Sequence, residues 1–231
     1  MNRVFKQQFE VADRLAELGL SRDLLKEVLS VGLIGWLNCT QNHPLSFPGI
    51  YAWAETVRSL RENLLPLGWD RVNDRNLPLT ANSVTKVAIT ASSGDEHTGI
   101  ENMSPRTRNP KGSTTKELAE ANALQLGLFS DMTDSPEELL AEAKNWDTWL
   151  LLAYRDLQAR VLRCELSRPV NIGDDGRVDG WDERIILEEI PFGDDQFSLG
   201  TNRDNSGRNS DGSVELDTQS EIIDVPVKRR A

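Results

Sequence analysis

Residues 92–116 run for 25 positions with neither a helical nor a strand period, yet an apolar strand candidate precedes them and a helix start follows. Long segments without regular structure are uncommon inside compact domains, and anchored ones are commonly functional. A fold for this chain must therefore carry a long excursion between a strand end and a helix start. That excursion also holds the chain's densest chemistry.

The elements around it point to an α+β domain. Phe5, Phe9, Ala12 and Ala16 recur at near-helical spacing up to Gly19, a natural stop. Ser21 can cap a second helix reaching about Leu37, apolar on most sides and so expected to be buried. Ile50, Trp53, Ala54, Val57, Leu60 and Leu64 mark a third, amphipathic helix that closes near Pro66 and Gly68. Strands are expected over 84–91, 149–154, 160–167 and 184–190, with Asp175-Gly176 and Asp179-Gly180 as turn chemistry. Thr114 and Glu117 have capping-box spacing, and Ser135-Pro136-Glu137-Glu138 opens another helix.

The predicted fold is thus N-terminal helices packed on a mainly antiparallel sheet of about four strands. A single domain is expected over residues 1–192, helical over 1–68 and sheet-containing over 80–192. Residues 193–231 read as a disordered polar tail, because Gly, Ser, Asn and Asp offer too little apolar surface to offset ordering entropy. Within it, Ile222, Ile223 and Val225 form a short β-prone motif that could add a strand to a sheet edge, on its own domain or on a partner.

Charge narrows the function. The net charge is −11, but residues 1–120 are balanced, and the acid is concentrated in residues 121–200, with 7 basic against 17 acidic side chains. Such a protein repels nucleic acid at long range unless a local basic patch intervenes. Two cysteines cannot build a disulfide framework, no apolar run reaches bilayer length, and no signal-peptide pattern opens the chain, so a cytoplasmic protein with no membrane contact is expected.

Two clusters in the 92–116 segment carry candidate chemistry. Asp95, Glu96 and His97 sit in a glycine-bracketed turn and could bind a divalent metal or act in proton transfer as a catalytic group, although neighbours on a strand alternate faces and converge only if the chain turns. Further on, Arg106, Arg108, Lys111, Gly112, Ser113 and Thr114 supply charge, hydroxyls and close backbone approach for a phosphate, ahead of a helix start. The order is not that of a Walker A loop, since Lys precedes the Gly.

Other constellations fail on chemistry. A nuclease core of the restriction-endonuclease type would pair an Asp with Glu-x-Lys, but Glu165 is followed two positions on by Ser167 and alternates onto the charged, exposed face. Cys39 and His43 share a loop, and helix burial of Cys39 favours an inert thiol. Trp36 and Trp53 are expected in helix cores and Trp181 at the surface. The leading expectation is a non-catalytic interaction protein or accessory subunit with a protein partner. The alternative is a phosphate-handling or nucleic-acid-processing enzyme that engages a nucleotide or nucleic acid through residues 104–116.

Overall fold

A computed structural model describes residues 3–74, 77–125 and 146–193. In chain order, strand β1 (Arg3–Phe5) leads into helices α1 (Gln8–Glu17), α2 (Arg22–Leu37) and α3 (Phe47–Leu64). Strands β2 (Asp70–Asp74), β3 (Leu77–Asn82) and β4 (Val87–Ser93) follow, then helix α4 (Ser113–Gln125). Strands β5 (Asp147–Asp156), β6 (Val161–Ile172), β7 (Val178–Ile186) and β8 (Ile190–Pro191) complete the described elements.

The helices start and stop where local chemistry requires. Gly19 takes φ +73°, a left-handed conformation that ends the first helical segment without a Cβ penalty. Ser21 Oγ accepts the Leu24 N–H at 3.2 Å, satisfying one orphan donor at the start of α2. Pro48 falls in the first turn of α3, where its missing N–H costs nothing. Gly32 lets α2 and α3 approach closely, since a Cβ there would lie 2.0 Å from Thr56 Oγ1.

The strands form one eight-stranded sheet in the order β1-β7-β6-β5-β4-β3-β2, with β8 also pairing on β6. The α+β class holds, but the sheet is twice the expected size and mixed. The pairs β4–β5 and β1–β7 are parallel, and the rest are antiparallel. A parallel neighbour needs a crossover rather than a hairpin, and the chain between β4 and β5 carries the long loop and α4. Asp179-Gly180 lies inside β7 instead of making a turn. Gly180 pairs with Asn171 at an irregularity of the ladder, where a Cβ would come within 2.4 Å of the Asn171 Cβ.

Alternation along the central strands serves two apolar faces. Trp149, Leu151, Leu162, Cys164, Leu166 and Ile185 pack with Leu15, Leu25, Leu29 and Leu60 of the N-terminal helices. On the other face, Leu150 and Leu152 meet Val178 and Trp181, while Ala88, Leu79 and Leu118 form a separate cluster. The tail from 194 onward and the Ser135 capping box lie outside the described residues.

Candidate functional site

The loop between β4 and α4 is held on the sheet by hydrogen bonds and a buried ion pair. Gly94 bridges Thr107, Asp95 N–H donates to Arg106 O, and Arg108 N–H donates to Ser93 O at 2.9 Å. Thr107 N–H donates to Val178 O, and Lys111 N–H to Gly176 O at 2.7 Å. Trp181 is buried and its Nε1–H donates to Pro105 O at 2.7 Å, which corrects the expectation of an exposed indole. Tryptophan under a loop covers apolar area while its N–H satisfies a loop carbonyl.

Glu165 corrects a second expectation. It is fully buried (0 % exposed) beneath the loop, paired with Arg184 at 2.6 Å. Its carboxylate also accepts the Gly99 N–H at 2.8 Å and the Ser167 hydroxyl at 2.7 Å. Arg184 in turn donates to the carbonyls of Ile100 and Met103. The alternation that puts Glu165 opposite the helix face is as read from the sequence; the loop covers that face.

Pinned this way, the loop walls a cleft of about 780 Å³ at the carboxyl ends of the parallel strands β4 and β5. One side is Trp36 at the end of α2 together with Ile50 and Trp53 of α3; the other is the loop segment with Arg108, Asn109 and Lys111. The floor is Ser92, Ser93 and Gly94 of β4 and its extension, and Ala153, Tyr154 and Arg155 of β5. Its size falls in the ordinary range for small-molecule sites.

The cleft's electrostatics set it apart from the rest of the molecule. Among the described residues none that lines it is acidic, while Arg108, Lys111 and Arg155 are basic. Lys111 Nζ donates to Ser92 Oγ at 2.6 Å, and burial pushes its pKa down to about 8. Arg155 lies over the Trp36 ring at 5.5 Å, and its pKa is lowered by burial first and by Arg108 second. Several other partly or fully buried arginines face carboxylates: Arg14 with Glu183, Arg163 with Asp156, Arg168 with Asp147 and Asp182, and Arg184 with Glu165, whereas Arg61 reaches Asn73 Oδ1 and two backbone carbonyls.

The predicted site residues separate into groups. Arg108 and Lys111 line the cleft. Arg106 points away, pairing with Asp175 at 2.9 Å and approaching Asp179 at 3.8 Å. Gly112, Ser113 and Thr114 open α4 and are not among the cleft's lining residues; Thr114 is buried there. Asp95, Glu96 and His97 occupy a turn outside the cleft, in which Asp95 Oδ1 accepts the His97 N–H at 3.1 Å. Among the described residues no group of three His, Cys, Asp or Glu side chains converges as a metal would require. Ile222, Ile223 and Val225 lie outside the described residues.

The remaining constellations do not assemble. His43 Nδ1 accepts the Thr40 N–H and its ring stacks on Phe47, while the Cys39 thiol donates to Gly35 O. Asp156 accepts from Arg163 and from two turn N–H groups rather than facing Glu165. Trp53 is half exposed at the cleft mouth, with its Nε1–H on Ala91 O. Ser92 and Arg155 are cleft residues outside both sequence clusters. Ser92-Ser93-Gly94 at a strand end was a visible signal, whereas Arg155 reads as the polar end of an apolar strand until β5 is set beside β4.

No family model, curated protein or solved structure matches this chain.

Proposed function

We propose that this protein handles a small phosphate-bearing ligand in the cleft between the 94–112 loop and the helices α2 and α3. The observation that carries the reading is the set of three cations, Arg108, Lys111 and Arg155, in a cleft with no acidic lining residue among those described. The contrast matters because the whole chain carries 37 acidic against 26 basic side chains. Lys111 and Arg155 are partly desolvated, which is costly without a counter-charge, Arg108 is exposed beside them, and a dianionic phosphate supplies that charge. Trp53 and Tyr154 add apolar and planar surface for the body of the ligand, as a nucleotide or similar monoester would require.

A nucleotide-sized ligand is favoured over nucleic acid. Arg106, which a polynucleotide track along the loop would recruit, is occupied by Asp175, and the acidic surface repels a polyanion at a distance.

Isothermal titration with inorganic phosphate and with adenosine monophosphate tests the reading, using the whole chain and Arg155→Gln. Binding by the wild type is expected, weakened by about 10- to 100-fold in the variant, the worth of a charge-assisted hydrogen bond. Absence of binding to either ligand would refute it and return the weight to a non-catalytic interaction protein.

A further inference from the structure

We propose that Ser92 is a nucleophile for phosphoryl transfer, that Lys111 takes its proton, and that the substrate is a small phosphate monoester. This deepens the phosphate-binding reading and rests on it.

Ser92 belongs to a buried stretch of β4 and lines the cleft. Lys111 reaches it across the loop–sheet junction, with Nζ 2.6 Å from Oγ. Nothing else among the described residues accepts a hydrogen bond from that amine. The buried cation that ties the loop to the sheet elsewhere, Arg184, is matched with a carboxylate, Glu165. Pairing a desolvated amine with a neutral hydroxyl is instead the arrangement that activates a serine, because an adjacent base must be able to lose and regain a proton.

Desolvation brings Lys111 to about 8, so a useful fraction is neutral near physiological pH. The charged and titratable groups facing it are Arg108 on its own loop and Arg155 and Tyr154 on β5. Burial is the cause of that shift, and among the described residues no carboxylate lines the cleft to oppose it. When Lys111 is protonated, Nζ–H donates to Oγ; when it is neutral, the Ser92 hydroxyl donates to Nζ.

The step balances without a further reactant. Ser92 Oγ attacks phosphorus while its proton passes to Lys111 Nζ. The ester P–O bond breaks, and Lys111 returns the proton to the departing alkoxide, leaving a phosphoserine and an alcohol. Water then attacks the phosphoserine, with Lys111 again accepting and returning the proton, and releases inorganic phosphate. Arg108 and Arg155 are the groups available to hold the non-bridging oxygens, on which charge is concentrated during transfer.

The test incubates the whole protein with p-nitrophenyl phosphate, bis(p-nitrophenyl) phosphate and p-nitrophenyl acetate, each acid-quenched and mapped by peptide mass spectrometry. Phosphate on Ser92 from the monoester, with p-nitrophenolate release, is the expected result. The release rate should rise with pH through about 8, and fall on the order of 10²-fold or more in Ser92→Ala and Lys111→Met. An acetylated Ser92 with no phosphorylated form would overturn the proposal in favour of acyl transfer. Reaction with the diester alone would overturn the monoester assignment. No adduct from a protein that still binds phosphate by titration would overturn the nucleophile and leave the binding site standing. Loss of phosphate binding in the wild type would remove both. Since the adduct is read on the wild type, misfolding of a variant does not decide the outcome.

Discussion

Replacing Glu165 by Ala should reveal how the cleft is held in shape. Glu165 and Arg184 are 0 % and 1 % exposed, and the carboxylate accepts four hydrogen bonds, from Arg184 Nε and Nη2, the Gly99 N–H and the Ser167 hydroxyl. Truncating it leaves a guanidinium buried with only two loop carbonyls, Ile100 O and Met103 O, and orphans the Gly99 N–H. Breaking one side of a buried pair costs about 3–5 kcal/mol, a large part of a typical total of about 5–15. With a urea m-value of about 2–3 kcal/mol per M, the unfolding midpoint should fall by roughly 1–2 M. Removing both charges, as Glu165→Leu with Arg184→Met, should restore most of that stability, because apolar replacements avoid the desolvation cost. The double variant nonetheless loses the contacts that fix Gly99, Ile100 and Met103, so loop residues 94–112 should be cut faster by protease. Phosphate binding should weaken, because that loop carries Arg108 and Lys111. A cost below about 1 kcal/mol for Glu165→Ala, or a double variant as unstable as the single one, would refute this account of the pair.

Lys111→Met should stabilise the fold near neutral pH and abolish phosphate binding, because burial of the amine opposes folding while it is charged. The sign follows from linkage: with its folded pKa lowered to about 8, Lys111 penalises the native state fully below that pH. The penalty shrinks as pH rises toward the ordinary lysine value, so chemical denaturation across pH 7–10 should show the variant's advantage fading; an advantage independent of pH would contradict it. Gly99→Ala should cost about 1–2 kcal/mol by urea denaturation, since Gly99 has φ +76° and its added Cβ would stand 3.1 Å from the Arg163 Cβ. Gly32→Ala should cost about 1–3 kcal/mol through overpacking at the α2–α3 contact. Adding Thr56→Ala should rescue only part of it in thermal melts, because the Ala52 carbonyl remains 3.0 Å from the new Cβ after the hydroxyl is gone.

What the sequence made legible follows from how locally each feature is determined. Helices α2 and α3 announce themselves because their apolar period, the Ser21 cap and the Gly19 stop are all short-range. Strand β2 is bounded by Asp70 and Asp74 and sits at the sheet's edge, where no buried alternation is required, so nothing in its residues marks it. Three-residue β1 is invisible for the same reason, since its pairing with β7 joins residues about 180 positions apart. Trp181 and Glu165 were assigned to the surface because alternation gives a face and not its cover; the cover is the 94–112 loop, folded over from β4. The same topology explains the site. Arg108 and Lys111 stood out in the loop, but Ser92 and Arg155 become part of a cleft only when β5 lies parallel to β4 and the two strand ends come together.

The distribution of charge then gives the cleft its selectivity. Glu183, Asp156, Asp147, Asp182, Glu165 and Asp175 each engage an arginine, so many of the arginines are held in structural pairs. Arg108, Lys111 and Arg155 stand together with no carboxylate among the described lining residues, and the partial burial of Lys111 and Arg155 opposes folding; such local violations are concentrated at functional sites. The acidic exterior acts over longer range and the cationic cleft over shorter range, with screening of about 8 Å at physiological salt. A polyanion is repelled along its whole length by the net charge of −11, whereas a compact monoester meets the three cations once inside. Raising the salt from low to physiological concentration should therefore weaken monoester binding only modestly, and binding of single-stranded oligonucleotides should stay weaker than that of a mononucleotide at every salt concentration. An oligonucleotide that binds more tightly, with a steep salt dependence, would mean that the basic loop reads a backbone track and that the cleft is not the primary site.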